Sequence, residues 1–193
     1  TGEDTLSLHD ALPICIGRLT SAAKLASAGT SFLANVGLYS LKHKTVDAVP
    51  TNGKVGIAND PVNQGRGLLL LQKAGLIKLK PEVGFLGTLD DIVENPKNLK
   101  IVELEAPQLP RSLDDAQIAL AVINTTYASQ IGLTPAKDGI FVEDKDSPYV
   151  NLIVTREDNK DAENVKKFVE AYQSDEVYEA ANKVFNGGAV KGW

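Results

Sequence analysis

Methionine is absent from the 193 residues, even at position 1, and cysteine and tryptophan occur once each. A chain that starts without methionine reads as a mature product or a fragment. One cysteine excludes an intrachain disulfide. With only two histidines beside it, the material for a zinc or Cys/His site is thin. Basic excess is missing too: 20 Lys and Arg stand against 25 Asp and Glu, for a net charge of −5. That balance argues against a nucleic-acid binder, which needs a basic stripe. No window approaches the ~20 apolar residues of a membrane-spanning helix. Gly65-Arg66-Gly67 does not continue into a dinucleotide fingerprint, and neither a phosphate loop nor a nucleophile elbow occurs. The acid pairs Asp90-Asp91 and Asp114-Asp115 fit helix starts better than acid–base chemistry. No nucleophile has a recognisable base, so nothing points to an enzyme or to a cofactor.

What is present is an ordinary globular composition, 43% hydrophobic and 23% charged, enough for one domain or two small lobes. Residues 1–14 lack the basic start and apolar core of a signal peptide. Cys15 follows Leu12-Pro13-Ile14, a poor lipidation context that suits a buried thiol better. Residues 16–28 predict a short helix with Leu19, Ala22, Ala23 and Ala26 on one side. SFLANVGLYS at 31–40 reads as a strand broken by Asn35 and Gly37. Strand and helix then alternate. Apolar runs at 54–57, 100–104 and 118–123 read as strands, the last apolar on both faces as a central parallel strand would be. The alternation implies an α/β fold with a mostly parallel sheet. Thr88-Leu89-Asp90-Asp91 has the spacing of a capping box. Residues 139–147 read as a solvated acidic loop, and YVNLIVT at 149–155 as a strand interrupted by Asn151. Two amphipathic helices close the chain, one striped by Val165, Phe168, Val169 and Tyr172, the other by Val177, Ala181, Val184 and Phe185. Trp193 is expected to pack back on the body.

The most informative stretch is ANDPVNQGRGLLLL at 58–71. Asp60 is a good N-cap, Pro61 suits the first helical position, and Gly75 is a plausible residue beyond the helix end. Asn63 and Arg66 lie three apart and share a face near the positive end of the helix dipole. A carboxylate would be held there by the planar Arg fork and the helix end together. A capping Asn beside a surface Arg is the equal alternative. Ligands in open α/β sheets collect at the carboxyl ends of the strands. Asn63 and Arg66 after the first clean strand, Arg111 after the second and Asn124 after the third all fall on that edge. Arg111 fits pairing with Asp114 or Asp115 better than ligand contact. Asn124 fits a loop residue satisfying backbone groups equally well, and Asn151 fits either a ligand contact or an internal bond.

From about Val55 to Trp193 the chain resembles the methionine-binding lipoproteins of bacterial ABC importers, the NlpA lipoprotein family. The carriers are NDPVNQGRGLLLLQKAGLIKLK, DIVENPKNLKIVELEAPQLPRSLDD, LAVINTTYA, DKDSPYVNLIV and FNGGAVKGW. A weaker match reaches back to Gly29. The resemblance implies a type II-like periplasmic binding fold with two lobes clamping the ligand, and a receptor that delivers methionine to a permease and its ATPase. It implies that Asn63 and Arg66 hold the amino-acid carboxylate, and that Asn124 and Asn151 bind polar groups of the same ligand. It places the parent family at the periplasmic face of the inner membrane, held by a lipid anchor that residues 1–28 do not match. On this reading residues 1–28 are an unmatched leader, 29–53 part of the first lobe and a crossover, 54–146 a complete second lobe, and 147–193 the returning strand and helices of the first. A partial first lobe would leave Leu33, Val36, Val150, Leu152 and Val154 under-covered. The competing expectations are a foldable remnant that binds nothing and a ligand-sensing domain of the same fold.

Overall fold

A computed structural model describes residues 24–144, 147 and 149–193. Cys15 and the helix expected over 16–23 lie outside those residues. The chain forms two compact units, Asn35–Glu143 and one made of the described residues on either side of it. In chain order the elements begin with β1 (Leu25–Thr30), β2 (Phe32–Ala34), β3 (Val36–Tyr39), β4 (Lys54–Ala58) and α1 (Pro61–Lys73). They continue with β5 (Lys78–Leu79), β6 (Ile92–Glu94), β7 (Lys100–Leu104), α2 (Leu109–Ser112) and β8 (Ile118–Asn124). Then come α3 (Thr125–Ala128), α4 (Pro135–Asp138), β9 (Gly139–Val142), β10 (Leu152–Arg156), α5 (Glu163–Tyr172), α6 (Asp175–Val184) and β11 (Ala189–Lys191).

The Asn35–Glu143 unit is built on a five-stranded sheet in the order β7-β4-β8-β3-β9. β4 runs parallel to β7 and β8, while β3 is antiparallel to β8 and β9. The sheet is therefore mixed, not mostly parallel, because the entering strand β3 runs against the βαβ core and pairs antiparallel on both sides, with β8 and with the returning strand β9. Burial on both faces explains the continuous apolar run of β8. Leu120 and Val122 join the cluster with Val55, Ile57, Leu68 and Leu71 on the α1 side. Ala121 and Ile123 join Tyr39, Ala58, Leu109 and Leu113 on the α2 side. Burying each such side chain contributes roughly 1.5–3 kcal/mol, so the two faces fix the register of β8 firmly.

The helix α1 starts where its sequence says. Asp60 has extended backbone and accepts a bond from the Asn63 N–H at 3.0 Å, and Gly75 beyond the last turn has φ +74°. Gly65 is needed for contact and not for dihedral freedom. A Cβ there would stand 2.1 Å from the Phe85 carbonyl oxygen, so the 84–87 segment lies directly on the first turns of the helix. Thr88 and Asp91 form the expected box, with the Asp91 carboxylate accepting from the Thr88 N–H at 2.9 Å. It caps a single 3-10 turn, Leu89–Asp91, that hands over at once to β6. The Thr88 backbone bond, with Lys80 adding to it, holds the Asp91 carboxyl below the usual carboxylate range.

In the other unit β1 pairs antiparallel with β10, and β2 with β11. Residues 25–28, expected in a helix, are strand here, because they find a ready partner in β10. Phe32 centres an aromatic group: Tyr172 lies 5.7 Å, Tyr178 6.4 Å and Trp193 5.1 Å from it, ring to ring. Trp193 thus packs back on the body as its sequence position suggested. The stripes of α5 and α6 are only partly covered, since Phe168 and Val184 are exposed. Leu33 and Val36, expected to be under-covered, are buried at 1% and 2% exposure, whereas Val154 is exposed.

The stretch SFLANVGLYS divides between the two units, and this changes the expected boundaries. β2 pairs with β11, but β3 lies in the five-stranded sheet, so 36–39 belongs with the unit that the sequence began at 54. Asn35 makes the break: its carbonyl oxygen accepts from both the Thr125 N–H at 2.9 Å and the Thr125 hydroxyl at 2.7 Å.

Tyr39 supplies a stability prediction. It is fully buried, and burial pushes its phenol from about 10 up to about 12, the Asp138 charge adding to this and the Thr125 hydroxyl opposing it. A raised pKa means that the folded chain keeps the proton after the unfolded chain has lost it. Stability from this group is whole below pH 10 and drains between 10 and 12, by about 2–3 kcal/mol in all at ~1.4 kcal/mol per unit. Tyr39→Phe should flatten that alkaline fall in denaturant-unfolding curves; superimposable alkaline limbs for parent and variant would refute it.

Candidate functional site

The carboxyl ends of β4 and β8, the start of β3, the end of β9 and the first turns of α1 meet at one end of the five-stranded sheet. Parallel pairing puts the ends of β4 and β8 side by side. Antiparallel pairing sets Val36 opposite Asn124, and Gly37 opposite Val142. Four polar side chains collect there for that reason.

Asn63 and Asn124 are joined directly, the Asn124 amide donating to Asn63 Oδ1 at 2.9 Å. Asn63 in turn donates its own amide to both carboxylate oxygens of the cap residue Asp60, at 3.1 and 3.0 Å. A single line of bonds therefore runs from the helix cap across to the end of β8. The structure brings together these two residues, which the sequence placed on one edge.

Arg66 is buried, with 8% of its side chain exposed. It is held by an acid that the sequence reading passed over. The Arg66 Nε donates to Glu143 Oε1 at 3.0 Å, and Nη2 donates to Oε2 in a bidentate pair. Glu143 is equally buried, at 9%, and its Oε2 also accepts from the Val36 N–H at 3.2 Å. Its main chain is fixed as well: its N–H donates to Val36 O at 2.9 Å, and its carbonyl accepts from the Asn35 amide at 2.8 Å. The acidic loop expected over 139–147 is thus in part the strand β9 followed by a buried carboxylate. The available signal was the apolar run Gly139–Val142 directly before the acid. Arg111, the rival arginine, is exposed at the end of α2.

Asn151 belongs to the other unit. It precedes β10 instead of interrupting a strand, is exposed, and donates its side-chain amide to Phe32 O at 2.9 Å. Ser31 N–H donates to its carbonyl at 2.6 Å. Internal bonds therefore account for its position in the sequence pattern. Among the described residues no group of three or more His, Cys, Asp or Glu side chains could hold a metal ion.

Comparison with known proteins gives a family model, NlpA lipoprotein, that matches residues 18–193. A D-methionine-binding lipoprotein MetQ from Salmonella typhimurium is 79% identical over 170 residues, which are 88% of this chain and 63% of that protein. Lipoprotein 28 of Escherichia coli K12 is 55% identical over 88% of this chain and 62% of its own length. The chain thus spans less than two-thirds of the length of these curated relatives. Among solved structures, a methionine-binding protein MetQ is similar at 73% identity with a TM-score of 0.83, over 92% of this chain and 74% of that one. A nutrient-binding protein from Burkholderia cenocepacia, bound to methionine, matches at 45% identity and a TM-score of 0.83, over 96% of this chain and 76% of that one. The fold is accordingly the type II-like fold of periplasmic methionine-binding proteins.

The buried Arg66–Glu143 pair makes a quantitative demand. Removing one member of such a pair takes from the other its opposite charge and costs about 3–5 kcal/mol. Arg66→Ala and Glu143→Ala should each lose stability on that scale, and the double variant should lose clearly less than their sum. Additive losses in a denaturant double-mutant cycle would mean that the two side chains are not energetically coupled.

Proposed function

Since the chain belongs to the NlpA lipoprotein family, we propose that it is the substrate-binding part of an ABC importer and that its ligand is methionine. The observation that carries the reading is the convergence of Asn63, Arg66 and Asn124 at the carboxyl ends of the parallel strands, with the guanidinium buried and held in place. In this role Arg66 grips the ligand carboxylate, because a planar fork matches two oxygens and a helix start adds favourable potential. Asn63 helps Arg66 hold the carboxylate, and Asn124 supplies an amide to the ligand's other polar groups, a part the family resemblance assigns to Asn151 as well. The relatives named for methionine support the substrate. The work is binding and delivery, and the side chains named need only donate and accept hydrogen bonds.

The same reading assigns partners and place. A permease and an ATPase would receive the ligand, and the cell envelope would be the setting, as the lipoprotein and periplasmic names of the relatives suggest. The lipoprotein names of the family and of the relatives also support a lipid anchor as the membrane attachment in the parent family.

Calorimetry on the purified chain with L-methionine, D-methionine and glycyl-methionine tests this. Arg66→Ala should lower methionine affinity on the order of ten- to a hundredfold, the value of a charge-assisted hydrogen bond of roughly 1.5–3 kcal/mol. Arg66→Lys should restore only part of it, since an ammonium cannot grip two oxygens in one plane. A larger loss from Arg111→Ala than from Arg66→Ala would overturn the site. No binding of any of the three ligands would overturn the function for this chain.

A further inference from the structure

We propose that Glu143 is a positioning residue for ligand capture: it sets the plane and reach of the Arg66 guanidinium, so that the carboxylate of an amino acid meets an oriented fork. The inference rests on the reading of Arg66 as the carboxylate grip. Three features of the structure lead to it. The contact is bidentate, through Nε and Nη2, which fixes the guanidinium plane as a single bond could not. The acid itself is anchored three times over, by the Val36 N–H on Oε2, by its own N–H on Val36 O and by the Asn35 amide on its carbonyl. Both side chains are more than nine-tenths buried, where rotamer change is hindered by packing. An arginine side chain otherwise carries considerable rotamer entropy, and a ligand that had to order it would bind correspondingly less well.

The anchoring has a second consequence. Val36 opens β3, Glu143 follows β9, and Asn35, whose carbonyl is held by Thr125, is the first residue of its unit. Glu143 thus ties the orientation of Arg66 to the two places where the main chain enters and leaves the Asn35–Glu143 unit. A displacement of either strand end would reach the guanidinium through one side chain.

Charge and geometry can be separated by substitution. Glu143→Asp keeps the charge but is one methylene short, so it cannot serve the Val36 N–H and both Arg66 donors together. Glu143→Gln keeps the reach and one accepting oxygen. Each variant of the full chain is titrated with methionine and with methioninamide, which lacks the carboxylate, by ligand-observed NMR, and its folding is checked by thermal unfolding. The expected result is a loss of methionine affinity on the order of tenfold in Glu143→Asp, as for other residues that orient a binding group from behind. Methioninamide affinity stays unchanged, and Glu143→Gln lies between Glu143→Asp and the parent. If Glu143→Asp fails to fold, the Glu143→Gln ratio of methionine to methioninamide affinity decides alone, and it must fall. Three results would overturn the proposal: parent-like affinities in both variants, equal losses for both ligands, or tighter methionine binding, which would make Glu143 a competitor for Arg66. Should Arg66→Ala leave methionine binding intact, the site assignment itself fails. If Arg66→Ala abolishes binding while the Glu143 variants behave as the parent, only the positioning role fails.

Discussion

A guanidinium taken out of water needs a negative partner within bonding distance, and Glu143 provides it for Arg66. Several features of the Asn35–Glu143 unit are arranged around that need. The helix α1 brings Arg66 to the sheet end and is itself pinned by the 84–87 segment lying on Gly65. The strand β9 must run antiparallel beside β3 to deliver Glu143 to the same end. Asn35 and Val36 hold the acid's main chain and carboxylate, and Thr125 holds Asn35. A buried ion pair contributes little net stability, because desolvation offsets most of the attraction. Its retention at a strand end beside two linked asparagines is easier to understand as the cost of keeping a charged grip inside the fold.

The sequence made the helix start and the central strand legible, because both are local. Asp60, Pro61 and Gly75 act within a few residues of themselves, and the apolar run of β8 reports burial on both faces without reference to its neighbours. The convergence of Asn63, Arg66 and Asn124 on one edge followed from a topological rule, not from any contact. What stayed hidden is non-local. Glu143 is 77 residues from Arg66, and an acid after a short strand looks the same whether it meets water or a buried arginine. The division of 31–40 between two sheets was hidden for the same reason: Asn35 breaks the strand visibly, but only pairing with β8 and β9 shows on which side β3 falls. Residues 25–28 failed as a helix because alanine-rich pattern is a weak prior once a partner strand is present.

The other unit shows the limit of helical patterning. The stripes on α5 and α6 were read correctly as amphipathic, yet Phe168 and Val184 remain exposed while Val169 and Tyr172 are drawn onto β1 and Phe32. Asn151 is more instructive still. A polar residue in an apolar run was an open question between ligand and internal bond, and the main chain of Ser31 and Phe32 supplies internal partners. Its part in ligand binding rests on the family resemblance.

The central claim is that Arg66, oriented by Glu143, takes a ligand carboxylate. The most direct measurement is the Arg66 Nε–H resonance in a ¹⁵N correlation spectrum, assigned by its loss in Arg66→Lys and followed through a methionine titration. The account predicts a saturable shift of that resonance at the same methionine concentrations that calorimetry reports for binding. Methionine binding with the Arg66 Nε–H resonance unmoved would contradict it.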